Sequence, residues 1–365
     1  MLLRLGTIAT VLLLAIGLAL VGCAPSEGPA PDEESPPAAP EGEAIEWVAQ
    51  GASPAGTLVH EIYEMWADDI GLASNGRLTV TLHPGGAVAP AGKEMDALDS
   101  GTIDAGITNP HNSLDKVPSG AILNTMVGGM SHSALAVWFD QAGGAELMDR
   151  AFEQFNVKII SHRIIPPEVW GHSTKEINSL ADMNGLKFRT AGDAGEIFAE
   201  MGVSVVHLSG GEIYESLQRG VVDCAEYNLL ATDWTMGFHE VAKYVYFSST
   251  RAPSACNMIV INNDKWEELP ADLKALVLDV SRANRDYRNT RDAYENMMAI
   301  EMYEDYGNVL AHLPADVEAK TLELAEEFYK TKSAELGGLY KEIVDSQMAF
   351  RAVYEPFEAL DRPLI

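Results

Sequence analysis

From residue 45 onward, short apolar runs rich in β-branched and aromatic residues alternate with stretches at helical spacing. That alternation constrains the chain most, because it calls for α/β units with largely parallel strand pairing. The pattern predicts strands over 45–49, 78–82, 103–108, 157–161, 186–190, 203–208, 221–225 and 258–261. Leu58, Ile62, Met65, Trp66 and Ile70 recur at helical spacing behind the first strand, and Asn75-Gly76 marks a tight turn into the second. Further helices are expected over 133–154, 193–201 and 211–219. The last third becomes almost wholly helical. Leu269-Pro270-Ala271-Asp272 and Leu313-Pro314-Ala315-Asp316 are two copies of one helix-start signal, with proline at the first helical position and an acid where the helix dipole favours it. The first of these helices runs to about residue 302, and such helices either brace two lobes or form a homodimer surface.

With 365 residues the chain has enough length for two domains around a real core. Its 54 acidic against 25 basic side chains give a net charge of −29, which nucleic-acid phosphates and anionic lipid would both repel, so nucleic-acid binding is excluded. Three cysteines, none in a C-x-x-C spacing, make neither a disulfide framework nor a zinc site. Cys224 and Cys256 would either pair after export or remain as small buried thiols.

The first residues read as an export signal: Arg4 is a short basic region, and the apolar run over 8–21 is too short for a comfortable membrane span. Leu20-Val21-Gly22-Cys23 closes it and resembles a bacterial lipobox, whose cysteine is acylated and becomes the new N-terminus. Residues 24–43 then hold six of the eighteen prolines and six acids, with no apolar side chain larger than alanine. Such a segment is a stiff, self-repelling tether. The expected organisation is therefore a lipoprotein signal peptide over 1–22, a tether over 23–43, and a folded part that would sit outside the cytoplasm, held to the membrane by lipid.

Motifs for chemistry are scarce. Gly86 to Lys93 has five residues between its glycines where a phosphate loop has four, and Glu94 stands where a magnesium-binding hydroxyl belongs. There is no dinucleotide fingerprint, no second histidine after His60-Glu61 and no G-x-S-x-G elbow, so the sequence calls for no organic cofactor. Ser209-Gly210-Gly211-Glu212 has the spacing of a capping box, which favours a structural role for Glu212. Arg189 closes a predicted strand, where ligand sites of open α/β sheets lie; it is either a solvated surface arginine or a planar fork for a carboxylate. Asn109, with His111 beside it, closes another strand.

Over 177–246 the elements G-L-K-x-R (185–189), G-G-E-I-Y (210–214) and G-x-x-D-x-x-E (220–226) follow in order. In this the chain resembles the solute-binding proteins of TRAP (tripartite ATP-independent periplasmic) transporters, and among them the branch that binds 2-oxo and 2-hydroxy monocarboxylates. The resemblance covers essentially all of residues 45–345. It implies a two-lobed periplasmic-binding-protein-like α/β fold, with hinge strands, long C-terminal helices and a small organic acid held between the lobes. One lobe would comprise 44–165 plus about 251–275 and the other 166–250, with long helices over 276–365 bridging or bracing them. It also implies delivery to a small and a large integral membrane subunit.

The resemblance makes Arg189 the substrate arginine. It makes Glu226 and the backbone carbonyl of Tyr227 ligands of a cation that also touches the substrate, with Glu168 aligned to a third position of that site. The branch's tryptophan is replaced by Tyr227, and Asn228 is polar where an apolar residue is usual, so the substrate is less defined than its carboxylate. Asn109, Trp170 and Asn228 complete the expected substrate contacts, with Trp234 and Phe238 as further cleft aromatics. If Arg189 is the only cation beside Glu168, Glu226 and a monocarboxylate, the excess negative charge favours a divalent ion, calcium before zinc, with sodium enough if Glu168 lies outside the shell. Two other readings stay open: an extracytoplasmic enzyme using Glu168 and Glu226 as an acid/base or metal pair, and a ligand sensor serving a signalling receptor.

Overall fold

The computed structural model describes residues 44–361; the expected signal peptide, the tether and Cys23 lie outside them. The first sheet has five strands, here β1 (Ile45–Gly51), β2 (Leu78–His83), β3 (Ala105–Thr108), β4 (Val157–Ile165) and β10 (Ala255–Asn262), in the order β2-β1-β3-β10-β4. The second has six, β5 (Gly171–Ser173), β6 (Lys187–Arg189), β7 (Ser204–Val206), β8 (Cys224–Ala225), β9 (Tyr244–Phe247) and β11 (Val309–His312), in the order β11-β9-β5-β8-β6-β7. The two-lobed α/β architecture is the one expected, but the sheets are mixed where largely parallel pairing was predicted. β10 runs antiparallel to both β3 and β4, and β5 antiparallel to both β8 and β9. Both odd strands lie where the chain crosses between sheets: it leaves the first at Ile165 to enter the second at Gly171, and returns from Phe247 to Ala255.

Local chemistry accounts for the elements around this frame. The helix Leu58–Ala73 starts where the Thr57 hydroxyl accepts from the His60 amide, and it turns into β2 through Asn75 and Gly76, both at positive φ. It buries Ile62, Trp66 and Ile70 completely, the last two in one cluster with Trp47 and Ala49 of β1 and Leu78 of β2. The single helix predicted over 133–154 is two, His132–Gln141 and Gly144–Ala151, broken at Gly143, whose φ of 88° is left-handed. A methyl group on Gly144 would sit 2.5 Å from Trp138, so the second helix packs closely on the first.

The long helix Ala271–Tyr306 starts one residue beyond Pro270 and carries Leu273 and Val277 into the first sheet's core and Ala299 and Tyr303 into the second's. It therefore spans both lobes. After it comes β11, a strand inside the region read as helical; it extends the second sheet beside β9 before the helices Ala315–Leu336 and Gly338–Asp361. Cys224 and Cys256 are both free and buried.

Candidate ligand-binding site

Strand ends of the two sheets face a cavity of about 540 Å³. Arg189 ends β6, and β8, its parallel neighbour, runs into Glu226, so the two side chains meet because of strand register. The Arg189 Nε donates to the Leu208 carbonyl at 3.1 Å, and its Nη1 donates to the Glu226 carbonyl at 2.7 Å and to Glu226 Oε1 at 3.0 Å. Its Nη2 has no acceptor among the described residues, and Arg189 lines the cavity. Glu226 Oε1 also accepts the Ala191 amide at 2.9 Å.

A second guanidinium completes the cluster. Arg251 lies on the returning crossover, 4% exposed, with Nη1 at 3.3 Å from Glu226 Oε2 and Nη2 donating to Glu168 Oε2 at 2.8 Å and to the Val169 carbonyl at 2.9 Å. Glu168 lies on the outgoing crossover, and its amide donates to the Ala252 carbonyl. The Glu168–Arg251 pair thus ties the two inter-sheet segments together beneath the cavity. Burial would push the Glu226 carboxyl up, but Arg251 and then Arg189 hold it below the usual range. At Glu168 burial prevails over Arg251, and the carboxyl is pushed up to about 7.

Arg251 changes the charge count. Two carboxylates face two guanidiniums, so a bound monocarboxylate leaves a single uncompensated negative charge, which a monovalent cation or a proton on Glu168 relieves. With Arg251 as a second cation, charge alone no longer favours a divalent ion over a monovalent one. The hard oxygen donors of Glu226, Glu168 and the Tyr227 carbonyl still suit calcium or sodium. No group of three or more His, Cys, Asp or Glu side chains is placed to hold a metal among the described residues.

Asn109, His111, Tyr227, Asn228 and Glu168 all line the same cavity as Arg189. Asn228 is held by its backbone: its amide donates to Asp233 Oδ1 at 3.0 Å, and its carbonyl accepts the Val169 amide. Asp233 in turn meets His172 Nε2 at 2.9 Å, both side chains fully buried. Burial pushes the His111 imidazole's pKa below its ordinary value.

Trp170 is not among the lining residues. It is fully buried, with its ring 5.0 Å from Phe188 and 5.8 Å from Phe198, because the outgoing crossover turns its side chain into the core. Trp234 stacks on His239 at 3.6 Å, and Phe238 is buried beside Ile213 and Leu217, so both are packing residues. Glu212 is a cap, accepting the Ser209 amide at 2.9 Å and hydroxyl at 2.6 Å. Gly210 serves close approach, since a methyl group there would lie 2.5 Å from the Tyr227 ring.

Residues 48–335 match the family of bacterial extracellular solute-binding proteins, family 7. The chain belongs to this family. Its members include solute-binding proteins of TRAP transporters, and membership puts this family-7 protein outside the cytoplasm. It is 26% identical, over 80% of its length and 77% of the relative's, to a monocarboxylate 2-oxoacid-binding periplasmic protein of Nostoc sp.. Its fold matches that of a TRAP periplasmic solute-binding protein from Colwellia psychrerythraea solved with calcium and pyruvate, at a TM-score of 0.82 and 24% identity over 87% of this chain and 98% of the other. A counterpart from Pseudoalteromonas atlantica, solved with sodium and pyruvate, matches at 0.82 and 22% over 87% and 97%. Among the described residues no helix is long and apolar enough to cross a membrane.

Proposed function

We propose that this family-7 protein captures a small 2-oxo or 2-hydroxy monocarboxylate between its lobes and delivers it to the small and large membrane subunits of a TRAP transporter, performing no chemistry itself. The observation that carries this reading is the unspent Nη2 of Arg189 at the cavity wall, the rest of that side chain being fixed by Leu208 and Glu226. A guanidinium so held presents charge and direction to a carboxylate without losing rotamer freedom on binding. Arg251 is already committed to two glutamates, which favours one ligand carboxylate over two. The same commitment argues against Glu168 and Glu226 as an acid/base pair, since Arg189 and Arg251 engage both Glu226 oxygens and Arg251 one oxygen of Glu168. The Nostoc relative, by name a 2-oxoacid binder, supports the substrate class.

The reading includes a cation, held by Glu226, the Tyr227 carbonyl and Glu168, which would offset the ligand's charge; sodium is the ion whose charge matches the deficit. It also includes an acyl anchor at Cys23, which would keep the receptor beside its membrane partners. Calorimetry of pyruvate binding to chelator-stripped protein in potassium buffer, repeated with sodium and then calcium, tests the site. Binding should tighten at least about fivefold with sodium, and by linkage pyruvate tightens sodium binding by the same factor. Equal affinity in all three buffers removes the cation, and no binding of any 2-oxo or 2-hydroxy acid in any buffer removes the function.

A further inference from the structure

Resting on that reading of the cavity, we infer that its first-lobe wall selects the polarity of the ligand's second carbon, accepting an oxygen there and rejecting an ammonium, through an amide relay that ends at Asn109.

The relay starts at Arg163 on β4. Its cross-strand partner on β10 is Asn257, and the next β10 residue, Met258, pairs with Thr108 of β3, so Asn257 lies beside Asn109 at the end of β3. A guanidinium only donates, so the atom of Asn257 facing Arg163 Nη1 at 3.2 Å must be its carbonyl oxygen. Asn257 then turns its amino group to Asn109, where it donates to Oδ1. Asn109 is left with its own amino group, which has no acceptor among the described residues, and Asn109 lines the cavity. The orientation of both amides, ambiguous for an isolated asparagine, follows from Arg163.

Arg163 cannot turn away to release the relay. Its Nη2 donates to Asp292 of the long helix, and Asp292 is held from its other side by Arg288 Nε at 2.9 Å. All three side chains are at most 4% exposed. The cavity therefore meets one free donor from each lobe, Arg189 Nη2 on one side and the Asn109 amino group on the other, apart from the Glu168, Glu226 and Tyr227 oxygens that would hold the cation. A carbonyl or hydroxyl oxygen answers the Asn109 donor; an ammonium sets donor against donor and loses its water.

Asn257→Asp tests this without substituting the residue that meets the ligand. Its carboxylate pairs with Arg163 and offers oxygen to Asn109 as well, so the Asn109 amide must turn over and present its carbonyl oxygen to the cavity. Asn109→Asp places an acceptor there directly. Calorimetry on the full chain would use matched acids: pyruvate and alanine, 2-oxobutyrate and 2-aminobutyrate, 4-methyl-2-oxopentanoate and leucine.

Wild type should bind the better oxo acid about a hundredfold or more tighter than its amino counterpart, and each variant should cut that preference at least about tenfold. A loss of packing alone would weaken both partners of a pair alike. Wild-type preference retained in both variants, or wild type binding amino acids as well as oxo acids, overturns the relay while leaving the carboxylate site standing. Failure of wild type to bind any of the six or the matching 2-hydroxy acids overturns both.

Discussion

Arg189→Lys should bind the ligand about tenfold to hundredfold more weakly than wild type, and Arg189→Met about a thousandfold or more, with the folded state retained in both. Lysine keeps the charge but has a single nitrogen at its tip, so it cannot hold the Leu208 and Glu226 carbonyls and still meet a carboxylate. One charge-assisted hydrogen bond is worth about 1.5–3 kcal/mol, which sets the lysine range; removing the charge also leaves the ligand anion without its partner. Calorimetry with near-ultraviolet circular dichroism as the fold control measures both. Wild-type affinity in the lysine variant would take Arg189 out of the site.

Arg251→Met should produce the largest loss of stability, about 3–5 kcal/mol at pH 8, because it leaves Glu168 and Glu226 buried against each other with only Arg189 to offset them. The loss should shrink on acidification. In wild type the Glu168 carboxyl rises from an ordinary value of 4.5 to about 7, so its contribution to stability is complete below about 4.5 and is lost as pH rises through 7. Without Arg251, whose charge pulls it down, that pKa rises further and the loss extends to higher pH. Glu226 works in the opposite sense, its depressed pKa costing stability only as pH falls below its unfolded value. Urea unfolding of wild type and variant at pH 5, 6.5 and 8 checks the slope. Adding Glu168→Gln to Arg251→Met should recover part of the loss at pH 8, and a pH-independent difference would show that the cluster is not held by charge.

These two arginines also mark how far the sequence could be read. Arg189 was legible because it closes a strand inside a run of spaced glycines and acids. Arg251 was not, because it stands in a crossover without periodicity, and its partners are 83 and 25 positions away. Missing it distorted the charge count. Asn257 left a faint signal as the lone amide in the run Ala-Cys-Asn-Met-Ile-Val-Ile, since a polar group in a buried strand needs a partner. The helix starts at 270 and 314 could be read from proline and acid, whereas β11 is four residues long between two long helices and pairs with β9 from a distant segment. Trp170 was expected among the aromatic residues of the cavity, yet it packs in the core. Residues two apart share a side only in a regular strand; residues 166–170 lie between β4 and β5, and the turn there sends Trp170 into the core while Glu168 reaches the cavity.

The central claim is that the cavity takes a monocarboxylate bearing oxygen at its second carbon, and a thermal-shift screen of the full chain tests it most directly. Ligand bound only by the folded state stabilises it by about 4 kcal/mol at a thousandfold excess over Kd, so saturating concentrations give a clear rise in Tm. Against a panel of 2-oxo, 2-hydroxy and 2-amino monocarboxylates, C4 dicarboxylates and neutral sugars, the account predicts the largest rise with a 2-oxo or 2-hydroxy monocarboxylate and none with the amino acids or sugars. A rise confined to dicarboxylates, or to uncharged solutes, would contradict it.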